Sequence, residues 1–598
     1  MKRKFSQSKN SQGKRAGRRL GVQSLESRGM LAGDVALAIG AGNVTLTGDA
    51  SGNEITITSL GGGTYEIAGQ GGTTINGGVT PLQFDSSQLI YNLTLNLKGG
   101  DDIVTIDGGT GDSLPGLLSV GGGDGDNEIN IVGGLSITGK LAVVNGFGED
   151  TVVIDDVSAG SISITNGKGG SHVTIGDVST TADITVNALA DGGAGNDIAL
   201  DNVSARAVSV SYGGTSGPST MTFDNMNVLT NLTLLNTGGT VVADLGGTAN
   251  TIGGKLTVSF ADGNHDIDLA QIDVAGEISI RTNAGNKTID IATTTAGGNL
   301  SITGSAGNET INIVDAVVGG GAGKGNLTVT GGVGDTDVTI TGGDVDGNVS
   351  ITNGVGDATV ALGTAAALNV AGAVSIRNGN GNATISVDNV TSARDIAITN
   401  GHGDNTITFG ATGANDIQAG GVSIRNGNGD ATINIDDTQI FRDLAITNGN
   451  SNGVNLVNIG TNAAVSSRSL SLIDGSGDST VVIDDMAVAS AFSFRGLAGA
   501  DSLTLDGSFD VNGGTSIDTG ADNDAVTINS GADLTVGRVS ITLGQGDDDL
   551  TVVLSAFNTV TNNFLFDGGI GGFDELVSDV ALTGAQLKKA KYFEDISP

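Results

Sequence analysis

The chain has no cysteine and no tryptophan, and only 3 histidines, 4 prolines and 4 tyrosines among 598 residues. Without thiols there are no disulfides, no thiolate metal centres and no cysteine nucleophile. His172, His265 and His402 are too far apart in the chain for zinc-ligand spacing, and no glycine-rich phosphate loop is present. Apolar runs are short: no stretch reaches 18 residues, so no membrane-spanning helix is expected. Positive charge is scarce as well, with 27 Lys and Arg against 65 Asp and Glu, a net −38. Nine of those basic residues lie in residues 1–28, where Glu26 is the only acid. The rest of the chain carries 18 basic and 64 acidic groups, a net −46, which disfavours nucleic acid and anionic membrane as partners.

What the chain does have is glycine, 101 residues of it, and aliphatic side chains in short alternating runs. One phrase recurs about twenty times: two short strands joined by a Gly/Asn/Asp turn, then a corner. Clear copies are VSITNGVGDATVAL from Val349, VSIRNGNGNATISV from Val374, IAITNGHGDNTITF from Ile396 and VSIRNGNGDATINI from Val422. The mean spacing is about 24 residues, a period that signals a solenoid whose units bury a core only by stacking. In the copy from Val349, Val349 and Ile351 alternate with Ser350 and Thr352, and Val360 and Leu362 alternate with Thr359 and Ala361. A third apolar position follows a polar pair, as in Asp155-Asp156-Val157 and Asp388-Asn389-Val390. Three inward faces per coil imply an all-β fold, a single-chain right-handed parallel β-helix of triangular cross-section. The expected organisation is a basic export or targeting segment at 1–33, disordered or removed, a parallel β-helix of about 21–23 turns at 34–577, and a C-terminal cap or short helix at 578–598.

Stacking turns equal positions into columns. Asn353, Asn378, Asn400, Asn426 and Asn448 fall in one column, a structural side-chain amide ladder. The position before it reads Thr352, Arg377, Thr399, Arg425, Thr447, because coil lengths alternate between about 22 and about 25 residues there. Outward hydroxyls such as Thr384/Ser386 and Thr406/Thr408 also align, in a manner similar to ice-binding solenoids, although Val482, Asp290 and Ala361 interrupt the column.

Two resemblances bear on location and chemistry. The segment Leu20–Val35 resembles the short "LE-x-R-x-LLA-x-D" stretch near the start of many large exported proteins of planctomycete bacteria, through Leu25, Glu26, Arg28, Leu31, Ala32 and Asp34. That resemblance implies a secreted or cell-surface protein. The turns Gly122-Gly123-Asp124-Gly125-Asp126, Gly496–Asp501 and Gly544–Leu550 resemble the calcium-binding nonapeptide "GG-x-G-x-D-x-L-x" of haemolysin-type repeats. It implies Ca²⁺ held by hard oxygen ligands, here between stacked coils because the motif comes once per coil. The candidate ligands are Asp501, Asp522, Asp524, Asp547, Asp548 and Asp549 toward the C-terminus, with Asp101, Asp102, Asp124 and Asp126 toward the N-terminus. The same carboxylates read equally as solvated surface charge. The expected function is a non-enzymatic structural or adhesive element of the cell surface or extracellular matrix, with matrix components, polysaccharide among them, as partners. The alternative is a polysaccharide-binding or polysaccharide-cleaving β-helix.

Overall fold

The computed structural model describes residues 33–598, apart from 86–90, 110, 190–194, 215–216, 248–249, 321–323, 412–416, 452, 530–531, 533–536 and 554–563. The expected export segment therefore lies outside the described residues, except for Gly33. The chain is all-β, a solenoid of about 20 parallel stacked coils of about 23 residues each.

One coil shows how the sequence builds it. The strands Val349–Thr352, Ala358–Leu362 and Leu368–Val370 form three faces. Each pairs in parallel with its equivalent in the next coil, Val349 with Val374, Val360 with Ile385 and Val370 with Ser392. Val349, Ile351, Val360 and Leu362 are each 0% exposed, so both alternating patterns point where the sequence says they should. The aliphatic side chains join into one core cluster from Val35 to Leu576.

The corners explain the polar pairs and the alternating coil length. Between the second and third faces the backbone enters the left-handed region, at Asp156 (φ 54°), Asp177 (φ 48°), Asn202 (φ 54°), Asn389 (φ 39°) and Asp437 (φ 45°). Asn and Asp tolerate that conformation better than other side chains. In the longer alternate coils a glycine turns this corner instead, Gly363 (φ 69°), Gly410 (φ 70°) and Gly460 (φ 71°). At the first corner the constraint is contact. A Cβ on Gly381 (φ 138°) would lie 2.1 Å from the carbonyl oxygen of Gly356 in the coil below. That column is glycine because backbone stacks directly on backbone.

The N-terminal end differs from the expected unbroken parallel helix. The first strands are antiparallel: Asp34–Gly40 pairs with Asn43–Thr47, and Glu54–Gly61 and Leu82–Asp85 both pair with Thr64–Gln70. Parallel coiling starts when Asn92–Asn96 adds to Asn43–Thr47. Hairpins of the chain itself, with Phe84 stacked on Tyr65 at 5.2 Å, lie at the edge of the first described coil. At the other end no helix forms over 578–598. Thr583 to Ala590 makes a single turn, with Leu587 N–H donating to Thr583 O at 2.9 Å. The chain then lays Ala590–Lys591 and Asp595–Ser597 onto the preceding coil in parallel. Phe593 and Ile596 pack on the core there, so burial outweighs local helical preference.

Candidate functional site

The acidic turns resolve into two columns on opposite sides of the backbone. The outer column hands hydrogen bonds forward along the rod. The N–H of Asp357 donates to Asp335 Oδ1 (3.0 Å), that of Asn382 to Asp357 Oδ1 (2.9 Å), and that of Asp404 to Asn382 Oδ1 (2.9 Å). The inner column runs the other way. The N–H of Asp501 donates to Asp524 Oδ1 (2.9 Å), that of Asp524 to Asp548 Oδ1 (2.8 Å), that of Asp548 to Asp574 Oδ1 (3.1 Å), and that of Asp574 to Glu594 Oε2 (2.8 Å). Near the N-terminus Asp102 and Asp150 accept the N–H groups of Asn53 (2.7 Å) and Asn127 (3.3 Å) in the same sense. The turn amides have no strand partner of their own, and these carbonyl and carboxylate oxygens satisfy them.

The ten candidate ligands divide between the columns. Asp102, Asp501, Asp524 and Asp548 are buried, whereas Asp101, Asp124, Asp126, Asp522, Asp547 and Asp549 are exposed. Five of the exposed six also cap amides, Asp101 that of Asp126, Asp124 that of Phe147, Asp126 that of Glu149, Asp522 that of Gly499 and Asp547 that of Phe573. Asp547, Asp548 and Asp549 are consecutive yet alternate outside, inside, outside. Among the described residues no three His, Asp or Glu side chains are grouped so as to hold a metal ion. For the buried four the fit to Ca²⁺ is poor, because one oxygen of each already accepts a hydrogen bond, from an amide at Asp102, Asp524 and Asp548 and from the Ser479 hydroxyl at Asp501.

Burial has an electrostatic consequence instead. The second carboxylate oxygens of Asp102, Asp150, Asp501, Asp524 and Asp548 are enclosed without a hydrogen-bond partner. Desolvation pushes Asp102, Asp150, Asp524 and Asp548 up to about 6. Asp501, with the charges of Asp524 and Asp474 adding to its burial, rises to about 7. These groups hold protons far above the usual carboxylate range.

The inner column continues through mid-rod with different chemistry, at His265, Lys287 and Glu309, each 3% exposed. Lys287 Nζ donates to Ala306 O at 2.6 Å and lies 3.9 Å from Glu309 Oε1. Burial lowers the Lys287 amine and raises the Glu309 carboxyl, each offset by the other's charge. His265 starts the strand His265–Ala270, where its imidazole is buried against Phe260 (5.2 Å between rings) and meets Ala261 O through Nε2 (2.9 Å). His172 is on a strand too, its nitrogens 3.1 Å from Glu149 and 3.1 Å from Asp197, while His402 is in an exposed turn. Replacing Lys287 by Met leaves Glu309 buried without its counter-charge, an expected loss of about 3–5 kcal/mol. Faster amide exchange in coils 265–340 measures it, and Lys287→Met with Glu309→Leu is expected to recover most of the protection.

Asp150, Asp474, Asp574, His265, Lys287 and Glu309 escape a motif search. Alternation finds them: counting back by twos from Leu550 reaches Asp548, and from Ile289 reaches Lys287. The amide ladder is present as expected. Asn353, Asn378, Asn400 and Asn426 each donate through Nδ2 to the next Oδ1 at 2.7, 2.7, 2.7 and 2.9 Å. The ladder's last member, Asn448, bonds to buried Asp474. No known protein-family model matches the chain, and no curated protein matches it.

Proposed function

We propose that this chain is a non-enzymatic, exported rod that acts as a structural or adhesive element of a cell surface or extracellular matrix. The supporting observation is the one core that runs through coil after coil, with side-chain ladders spending the turn carboxylates and amides on the rod itself. About 20 coils at about 4.8 Å per coil make a spacer roughly 100 Å long. The basic start and the planctomycete-like segment motivate the location. Immunolabelling of intact cells tests it: surface label is expected, and label confined to permeabilised cells would refute it.

In this reading Ca²⁺ is a secondary rigidifier, held through the outward oxygens of the exposed aspartates. Calcium is then expected to raise the melting temperature, by about 2.7 kcal/mol of stabilisation at a hundredfold excess over Kd. Mg²⁺, which dehydrates reluctantly, should do less. Asp522→Asn with Asp547→Asn should blunt the gain, and Asp524→Asn should leave it intact. Identical melts in calcium and in chelator would refute a role for calcium at these aspartates.

A further inference from the structure

The rod is acidic, but its charge is not spread evenly over the three faces. The first-face strands from Ile278–Thr282 to Met486–Arg495 contain one carboxylate, Asp443, already paired with Arg468 at 2.8 Å. The same strands expose Arg281, Arg377, Arg425 and Arg495 along one column. Among the described residues none of these four guanidinium groups makes an ion pair. Beside them the other outward column is serine, threonine or alanine from Ser279 to Ser493. On the second face Asp244, Asp268 and Asp290 stack in register in the coils from Val241 to Ala292, with Asp268 pushed up by burial and by its neighbours' charge, while the second-face strands from Ala358–Leu362 to Ala431–Ile435 carry no charge of either sign.

We propose that this first face docks a linear polysaccharide that carries carboxylate groups on alternate sugars, lying along the rod axis. Arg377 and Arg425 are separated by one coil, Arg377 pairing with Thr399 and Thr399 with Arg425. Two coil spacings are about 10 Å. That interval suits carboxylates recurring on every second sugar of an extended chain. A guanidinium fork matches a planar carboxylate through two parallel N–H···O bonds, and the hydroxyl column between offers partners to neutral sugar hydroxyls. Charge density separates this partner from nucleic acid. A polymer with one charge on every nucleotide meets stronger repulsion from a body of net −46. The face also lacks the aromatic platforms on which single-stranded bases stack.

The inference rests on the surface-rod reading and names its partner. Binding of the purified full chain to hyaluronan, dextran sulfate, neutral dextran and single-stranded DNA is to be measured by calorimetry at two salt concentrations. Salt-weakened binding to hyaluronan, with none to dextran and weaker binding to DNA, is expected. Arg377→Gln with Arg425→Gln should lower hyaluronan affinity about tenfold or more with an unchanged melt. Arg442→Gln with Arg468→Gln, removing arginines already paired with Asp395 and Asp443, should leave affinity intact. No hyaluronan binding, equal binding by the Arg377/Arg425 variant, or DNA or dextran sulfate bound more tightly would each overturn the proposal. Should the double variant misfold, Arg281→Gln with Arg495→Gln reads out the same column. Shortened hyaluronan chains after incubation would instead refute the non-enzymatic reading while leaving the docking face standing.

Discussion

Ile351→Asp is expected to unfold several coils together. Ile351 is 0% exposed and stacks between Val329 and Ile376 in the first-face ladder. A carboxylate placed there meets only aliphatic neighbours, and an unpaired buried charge costs several kcal/mol even after it takes up a proton. Because each coil contacts only the coils beside it, the damage should spread a few coils and then fade. Hydrogen exchange on the intact protein is the check. Amides in coils 327–398 should lose protection while coils 118–189 keep theirs. Protection at coils 327–398 equal to that of the unaltered chain would mean that the inward assignment of this face is wrong.

The second large effect is an inverted pH dependence at the C-terminal end. Asp501, Asp524 and Asp548 hold protons in the folded rod up to about 7, about 6 and about 6. An unfolded chain releases them near 4. Between those limits the folded state binds more protons than the unfolded state, so stability falls as pH rises from about 4 to about 7 and is level beyond. The groups facing this column are other acids, Asp474 and Asp524 toward Asp501, Asp548 and Asp522 toward Asp524, and Asp574, Asp547 and Asp549 toward Asp548. Among the described residues no lysine, arginine or histidine forms an ion pair with them. A shift of about two pH units corresponds to about 3 kcal/mol for each fully buried carboxylate. Exchange protection of coils 501–552 should therefore drop from pH 5 to pH 8 relative to coils 349–448, where the amide ladder has nothing to titrate. Asp524→Asn retains an acceptor for the Asp501 amide without a charge, and should flatten the profile. A parallel response of the two segments would remove the carboxylate column as the cause.

Periodicity carried most of the architecture. Alternation in Val349–Leu362, the glycine column and the Asx corners each express a local rule, and a local rule repeated about twenty times is legible in one dimension. The ends were less legible, because pairing direction is not written in composition: the residues of 34–85 resemble strands whichever way they pair, and Gln586–Lys591 has helical composition whatever it packs on. The site residues divided for a related reason. Composition identifies Asp547, Asp548 and Asp549 as acids in a turn, but only the stacked backbone decides that Asp548 faces the core while its neighbours face water. A side chain's chemistry belongs to its sequence. Its dielectric surroundings and hydrogen-bond partners belong to the coil above and the coil below, and these turn three similar aspartates into one exposed amide cap, one exposed surface charge and one buried proton carrier.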